Sequence, residues 1–349
     1  MAAHLQEAIA PMANRLDRDS QLLLKGLRQL GQKGWLGLQL PAHQGGTGMS
    51  PENYFLASMM LARNSGALAF LQTQHQSAGG FIAGGRNPAI KSTYLPPMAC
   101  GQRLIGIGFS HLRRPVPPLR AEPVDGGYRL CGEVPWVTGH GIFTEFVGAA
   151  TLASGEVVFG ILPLVDTQIG DGQITVSEPM ALATFGATRT VRVAINDWRL
   201  PQTSVVGLKH PGWIHQKDRQ GVKAASFALG SAQAALDVAQ TSLHKKGWLS
   251  LNSSLVALQG ELDHCLKQCL EALTRSANTD AAANHQRQLR ATAITLAGRC
   301  AQAAVAICGG AANGQDHPAQ RIYREVLVFT VSGQTPELAA AVVTQLASD

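Results

Sequence analysis

Apolar residues recur every three to four positions in the first hundred residues of the chain, which is the spacing of an amphipathic helix. The pattern predicts helices over residues 1–34, from residue 50 to about 64, over 65–84, and from 88 to about 95. Ser50 followed by Pro51 is typical of a helix N-terminus. Glycine and proline clusters separate these segments, so this part of the chain is expected to be helical.

Short apolar runs bounded by turn residues replace the helical spacing between residues 104 and 208. Such runs are typical of an antiparallel sheet or barrel. The predicted strands lie at residues 104–110, 128–132, 146–152, 157–162 and 190–195.

The helical spacing returns after Trp213. Helices are predicted over residues 222–239, 253–277 and 281–307, and two more begin at Pro318 and Pro336. The expected fold is therefore α+β, with an N-terminal helical domain at 1–103, a middle barrel-like β domain at 104–208 and a C-terminal helical bundle at 209–349. This order differs from the alternating strands and helices of a dinucleotide-binding fold.

Composition narrows the function classes. The 349 residues are 45% hydrophobic and only 15% charged, which indicates extensive buried or interface surface and favours a homodimer or homotetramer. The net charge of +6 is scattered rather than gathered in a stripe, so a nucleic-acid partner is not expected. No signal peptide is recognised, and no apolar run approaches the roughly 20 residues of a membrane span.

The six cysteines form no Cys-x-x-Cys pair. They are interpreted as thiols in a reducing cytoplasm rather than as metal ligands, so no metal site is expected.

One stretch, residues 132–141, combines Trp136 and Thr138 between glycines. Two positions apart on a strand, these side chains are expected to share a face. A ring beside a hydroxyl suits a flat ligand rich in heteroatoms, although such a pair taken alone more often reflects core and cross-strand packing.

The order of elements and four motifs together resemble the acyl-CoA dehydrogenase superfamily of flavoproteins, over almost the whole chain. The matching residues are Gly34–Gly48 with Pro41, Gly132 with Trp136–Gly139, Arg199–Pro201 with Val206 and Gly207, and Gly309, Gly310 and Gly314 with Pro318, Arg321, Tyr323 and Arg324.

The resemblance implies a bound FAD between the β domain and the C-terminal helices. It implies that Trp136 lies against the flavin ring, with Thr138 near the edge that accepts hydride. The other residues that it places at the cofactor are Phe109, Ser110, Val137, Gln259, Gly309, Gly310 and Gln334, the two glycines facing the cofactor of a neighbouring subunit.

The chain departs from the family pattern at the catalytic base. Where the family has Glu before a glycine, this chain has Ser332, which cannot serve alone as the base for a weak carbon acid. Gln334 stands in the place of the usual Thr. A minority of the family carries the base on a C-terminal-domain helix just before an Arg, and Asp218 occupies the corresponding place before Arg219. Asp218 is therefore the candidate base, or else half of an ion pair.

Two further departures from the family pattern concern positively charged residues. The segment after Phe109 contains Arg113 and Arg114, which either bind phosphate or belong to a solvated loop. Lys245 and Lys246 stand where the family has a flavin-binding Arg. We weigh three functions against these departures: FAD-dependent dehydrogenation of an acyl thioester with a relocated base, a flavin monooxygenase or oxidase, and a non-catalytic flavin- or acyl-binding protein.

Overall fold

The N-terminal third of the chain is helical. In the computed structural model, which describes residues 1–275 and 277–348, it consists of α1 (Ala2–His4), a π-helical turn (Leu5–Ile9), α2 (Ala13–Leu16), α3 (Ser20–Gln32), α4 (Pro51–Asn64), α5 (Gly66–Ala83) and α6 (Pro88–Ala99). Ser50 caps α4 by accepting a hydrogen bond from the Asn53 amide, as its place before Pro51 predicts.

Two helix boundaries differ from the prediction. The single helix predicted over residues 1–34 is wrong, because Asp19 caps a new helix by accepting hydrogen bonds from the amides of Gln21 and Leu22. The predicted stop near residue 95 is also wrong, since α6 continues through Pro96 and Pro97 to Ala99. Proline has a helical φ and lacks only the N–H donor, so a pair near a helix end is tolerated.

The middle of the chain forms a mostly antiparallel sheet. Its nine strands are β1 (Ile105–Gly108), β2 (Leu119–Val124), β3 (Gly127–Val137), β4 (Glu145–Thr151), β5 (Val157–Pro163), β6 (Thr167–Ile169), β7 (Gly172–Val176), β8 (Val191–Pro201) and β9 (Val205–Lys209). Eight of them follow the order β6-β7-β8-β3-β2-β4-β5-β9, and β1 pairs in parallel with β4. The α+β architecture is confirmed, although β2, β6, β7 and β9 were not among the predicted strands.

Strand β1 lies close against the end of β3. A Cβ atom on Gly108 would lie 2.9 Å from Val134 Cγ1 and 3.1 Å from Val137 Cγ2, so only glycine fits between the two strands. This contact brings the residue after β1, Phe109, to the same edge of the sheet as the end of β3.

The C-terminal third is again helical, with α7 (Trp213–Asp218), α8 (Ala225–Lys246), α9 (Asn252–Leu273), α10 (Asp280–Cys308), α11 (Pro318–Val331) and α12 (Pro336–Leu346). All of these helices except α7 were predicted as separate elements. The helix predicted to reach residue 277 ends at Leu273, and Ser276 lies outside the described residues.

The hydrophobic core extends across the boundaries of the three predicted domains. One buried cluster joins Leu27 of α3 and Leu71 of α5 to Val134 and Phe146 of the sheet and to Phe329 of α11. A second cluster fills the space between the C-terminal helices. The division of the chain into domains at residues 103 and 208 stays a prediction, because the first buried cluster contains residues from all three segments.

Helix α10 lies in the one stretch of the described residues that is long and apolar enough to pass as a membrane span by composition. The stretch Asp280–Asn313 includes an 18-residue window apolar enough to cross a membrane, which the sequence analysis did not recognise. Because 61% of that window is buried inside the fold, the hydropathy is that of a core helix.

Candidate functional site

Four charged side chains from three elements meet beside the turn that follows α11. We call Arg113, Lys217, Asp218 and Arg290 the charged cluster. Arg113 ends the 3-10 turn after β1, Lys217 and Asp218 end α7, and Arg290 lies within α10. The turn itself is formed by Ser332 and Gly333, two of the residues where the family places its base.

Arg113 and Asp218 form a bidentate ion pair. The guanidinium donates from Nε and Nη2 to the two carboxylate oxygens, at 2.8 Å and 2.7 Å. Both side chains are largely buried, with 19% and 17% of their surfaces exposed. The fork of Arg113 thereby fixes the orientation of the carboxylate and occupies a lone pair on each of its oxygens.

Arg290 binds the backbone of the Ser332–Gly333 turn. Its guanidinium donates to the carbonyl oxygen of Gly333 at 3.3 Å and to that of Ser332. The residue is only 8% exposed, and burial, followed by the charge of Arg113, lowers the pKa of its guanidinium to about 10. Because both acceptors are neutral carbonyl groups, they do not neutralise the positive charge of the buried guanidinium.

The remaining member of the cluster, Lys217, lies on an aromatic surface. Its ammonium is 5.5 Å from the centre of the Phe109 ring. The ring centroids of Phe81, Trp213 and Phe159 lie 5.4 Å, 6.0 Å and 6.4 Å from that of Phe109. Desolvation, and then the charge of Arg113, lowers the pKa of Lys217.

The end of β3 presents one accessible ring. Trp136 is 49% exposed, whereas Val137 is fully buried and Thr138 is 6% exposed. The Thr138 hydroxyl lies 3.0 Å from the hydroxyl of Thr190. Trp136 and Thr138 therefore differ in exposure, and the β3–β8 register shifts between Val134 and Val137. The prediction that their side chains share a face stays a prediction.

The glycine loop after α10 is exposed. Gly309 has a φ of +67°, and Gly310 has open space where a Cβ would lie. Lys246 donates to the carbonyl oxygens of Ile307 and Cys308 at 2.7 Å and 3.0 Å, so it caps the end of α10 beside the loop.

The side chain of Gln259 bonds within the C-terminal helices. It exchanges two hydrogen bonds of 3.0 Å with Gln233 on α8, and it donates a third to Asp263. These bonds join α8 to α9.

Known proteins are similar to this chain along almost its whole length. The family model for the acyl-CoA dehydrogenase N-terminal domain matches residues 1–102. An acyl-CoA dehydrogenase of Bacillus subtilis is 22% identical over 97% of this chain and 94% of its own length. The 3-sulfinopropanoyl-CoA desulfinase of Paraburkholderia xenovorans is 26% identical over 95% of this chain and 90% of its own length.

A solved structure extends the likeness to the fold. Butyryl-CoA dehydrogenase from Megasphaera elsdenii superposes with a TM-score of 0.81 at 19% identity, covering 99% of this chain and 96% of that one. The first 102 residues of the chain thus match the acyl-CoA dehydrogenase N-terminal domain, and the whole chain is similar to acyl-CoA dehydrogenases in sequence and in fold. The resemblance in the motifs is thus confirmed at the level of family and fold.

Within this superfamily fold, the structure brings the two proposed catalytic residues to one place. Asp218 is bonded to Arg113, and an Arg113 Nη2 atom lies 3.7 Å from the Cβ position of Gly333, next to Ser332. The Ser332 hydroxyl donates to the Val328 carbonyl at 2.7 Å, so it completes the end of α11.

Gln334 makes contacts of the same structural kind as Ser332. Its side-chain amide donates to the Thr330 carbonyl at 3.2 Å, and its oxygen accepts from the Thr335 amide. These hydrogen bonds hold both side chains against neighbouring backbone groups.

The residues expected at FAD are compatible with that cofactor. The accessible ring of Trp136 offers a flat surface, and the open backbone of Gly309 and Gly310 permits close approach by a ligand. Phe109 and Ser110 follow β1 beside the end of β3, and Ser110 is exposed. Because the bonds of Thr138 and Gln259 are made to protein groups, these two side chains fit a flavin less directly.

Sequence reasoning missed Arg290 and gave Lys217 no role. The available signal was the place of Arg290 between Leu289 and the apolar stretch that begins at Ala291, since charged residues are seldom buried unless they are paired. The meeting of α7 with α10 is a long-range contact that no local pattern encodes.

Proposed function

We propose that the protein is an FAD-dependent oxidoreductase that introduces a double bond between the α and β carbons of an acyl thioester, with Asp218 as the base. The observation that supports this most strongly is the place of Asp218. A carboxylate lies beside the Ser332–Gly333 turn, where the superfamily pattern has its Glu. The base is thereby supplied from α7 rather than from the turn.

Each residue has a distinct task in this proposal. Asp218 takes the α-proton, and Arg113 orients the carboxylate until that transfer. Arg290 holds the turn through its carbonyl oxygens, so the turn cannot collapse into the space left by the missing Glu side chain. Trp136 and the Gly309–Gly310 loop hold FAD, which when bound supplies the acceptor for the β-hydride.

One observation favours a second candidate. Both Asp218 oxygens accept bonds from Arg113, and the Ser332 hydroxyl is used by Val328. A flavin monooxygenase or oxidase, or a non-catalytic acyl-binding protein, needs no free base. The curated relatives also include a desulfinase, so similarity to the superfamily by itself does not fix the reaction.

Anaerobic mixing of the FAD-loaded protein with saturated acyl thioesters separates these candidates. We expect the flavin absorbance at about 450 nm to bleach, as the electronic properties of the cofactor dictate. Asp218→Asn should slow the bleaching by roughly 100-fold to 10,000-fold, the usual contribution of a general base.

The matched control is Asp237→Asn, because Asp237 also forms a bidentate pair, with Arg63, at an exposed position. It should leave the rate unchanged. Bleaching at the wild-type rate in Asp218→Asn would show that Asp218 is not the base. No bleaching by any thioester, together with oxygen consumption by the reduced protein, would support the second candidate.

We further propose a homo-oligomer in the cytoplasm. An apolar groove of about 550 Å³ between α10, α11 and α12 is lined by Ile294, Val326 and Val342, and exposed Leu346 lies at its edge. All six cysteines are free thiols, as a reducing compartment requires. Light scattering after size-exclusion chromatography should give a mass of two or four chains, and a monomer would contradict the oligomer.

A further inference from the structure

A cavity of about 320 Å³ lies where α1, the π-helical turn, α4, α8 and the start of α11 meet. Its apolar wall includes Met60 of α4, Val238 of α8 and Ile322 of α11. Small-molecule sites begin at about this volume. None of the residues that line the cavity belongs to the charged cluster. At about 1.5 Å per residue, Arg321 in the cavity wall lies roughly 15 Å along α11 from Val331.

The cavity wall contains a buried arginine with one unused nitrogen. Arg321 is 5% exposed, and its Nε and Nη1 atoms donate to Asn14 and Glu325, each at 2.7 Å. Neither acceptor lines the cavity, whereas Arg321 does. Its Nη2 atom has no hydrogen-bond partner among the described residues, so Nη2 is the donor available to the cavity. Because a buried donor without an acceptor is costly, this nitrogen favours a ligand with an acceptor group.

Asn64, the last residue of α4, offers an acceptor in the same wall. Its side-chain nitrogen donates to the carbonyl oxygen of Met60 at 2.8 Å. Its side-chain oxygen receives no hydrogen bond from the part of the chain that the structure describes. The cavity therefore presents a donor on Arg321 and an acceptor on Asn64 beside an apolar wall. An amide group carries the complementary acceptor and donor.

The charges around the cavity are already paired. Glu325 faces Arg321 Nη1, and both carboxylate oxygens of Asp237 accept hydrogen bonds from Arg63. A bound anion or cation would add an uncompensated charge to a partly apolar space, which is costly. The surroundings of the cavity therefore favour an uncharged ligand.

We propose that this cavity is a binding site for an uncharged aliphatic amide. The amide oxygen accepts a hydrogen bond from Arg321 Nη2, and the amide N–H donates to Asn64 Oδ1. The alkyl chain lies against the apolar wall. This site goes beyond the proposed reaction and does not depend on it, because no residue of the cavity wall takes part in that reaction.

Three ligands of matched shape separate these interactions in a ligand-observed NMR titration of the FAD-loaded protein. Hexanamide carries the acceptor and the donor, heptan-2-one has a methyl group in place of NH₂, and hexanoate carries a negative charge. Hexanamide should bind roughly threefold to tenfold more tightly than either of the others, which is the effect of about one hydrogen bond. Equal or tighter binding of hexanoate or heptan-2-one would overturn the proposal, and so would the absence of binding by all three.

Variants of the cavity wall locate the site. Asn64→Ala should remove the preference for hexanamide over heptan-2-one, because the acceptor is lost. This preference is a ratio of two affinities in one variant, so it does not depend on how much of the variant is folded, and an unchanged ratio would contradict the role of Asn64.

Filling the cavity gives an independent test. Ala234→Leu places a larger side chain in the cavity wall and should weaken hexanamide binding roughly tenfold or more. The matched control, Ala340→Leu on the exposed face of α12, should leave the affinity unchanged. Equal hexanamide affinity in the wild type and in Ala234→Leu would show that the amide binds elsewhere and would refute the site.

Discussion

Removing the cation of the buried Arg321–Glu325 pair should destabilise the protein far more than removing the cation of an exposed pair. Arg321 Nη1 lies 2.7 Å from Glu325 Oε1, and the two side chains are 7% and 0% exposed. Arg321 Nε also donates to Asn14 at 2.7 Å, which ties α11 to the N-terminal helices. Because α11 ends at Val331, directly before Ser332, this anchor also fixes the turn at the charged cluster.

The magnitude follows from burial. Arg321→Met leaves the Glu325 carboxylate buried without its cation, which typically costs about 3–5 kcal/mol. The control is Arg63→Met, since Arg63 makes two bonds to Asp237, of 2.6 Å and 2.9 Å, with the side chains 47% and 41% exposed. An exposed pair contributes about 0–1 kcal/mol despite its better geometry.

The pH dependence supplies a second test of the same reasoning. Burial raises the pKa of Glu325 above its usual value, and Arg321 opposes that rise. Without Arg321 the pKa rises further, so the folded variant binds the proton more tightly than the unfolded chain does. The stability deficit of Arg321→Met should therefore shrink as the pH falls from 7 toward 5.

Urea denaturation of both variants at equal FAD loading measures these effects. Equal losses in Arg321→Met and Arg63→Met would refute the reasoning from burial. A deficit that grows as the pH falls would refute the assignment of the cost to an ionised Glu325.

Three further predictions concern the cofactor face and the core. Trp136→Ala should weaken FAD binding roughly tenfold in a fluorescence titration, while the equally exposed Tyr323→Ala should not, and equal effects would remove Trp136 from the flavin. Gly309→Ala should lower the free energy of unfolding by about 1–3 kcal/mol, because the φ of Gly309 is +67°. Gly310→Ala should leave the free energy of unfolding unchanged in the same urea measurement. Equal stability of the two variants would show that the loop adapts. His75 accepts a hydrogen bond from the Ile105 amide through Nδ1 and bonds the Met98 carbonyl through Nε2, and burial lowers its pKa to about 4. The free energy of unfolding should therefore fall by up to about 3 kcal/mol as the pH drops from 6.5 to 4. In His75→Gln this pH dependence should be smaller.

The sequence predicts best those features that local chemistry determines. Caps such as Ser50 and the apolar spacing of α8 locate helices, because both act within a few residues. The short strand β6 was missed because its residues are partly or fully exposed and leave no apolar alternation. The break before α3 depends on Asp19 alone, and the spacing of leucines across it hides the change of helix.

The candidate site was predictable only in part, for a physical reason. Asp218 could be singled out from its place before Arg219, but its partner Arg113 is 105 residues away. Arg290 reaches the site only because α10 packs near the turn after α11. The different exposures of Trp136 and Thr138 depend on a shift in the β3–β8 register, which hydrophobic alternation cannot show.

The flavin content of the protein tests the central claim most directly. The protein should be purified, incubated with FAD, freed of unbound cofactor and examined by visible spectroscopy. The account predicts a stoichiometric flavin spectrum, with about one FAD per chain, that bleaches when an acyl thioester is added without oxygen. A colourless protein that still binds acyl thioesters would contradict it and would identify an acyl-binding protein that has kept the fold without the redox reaction.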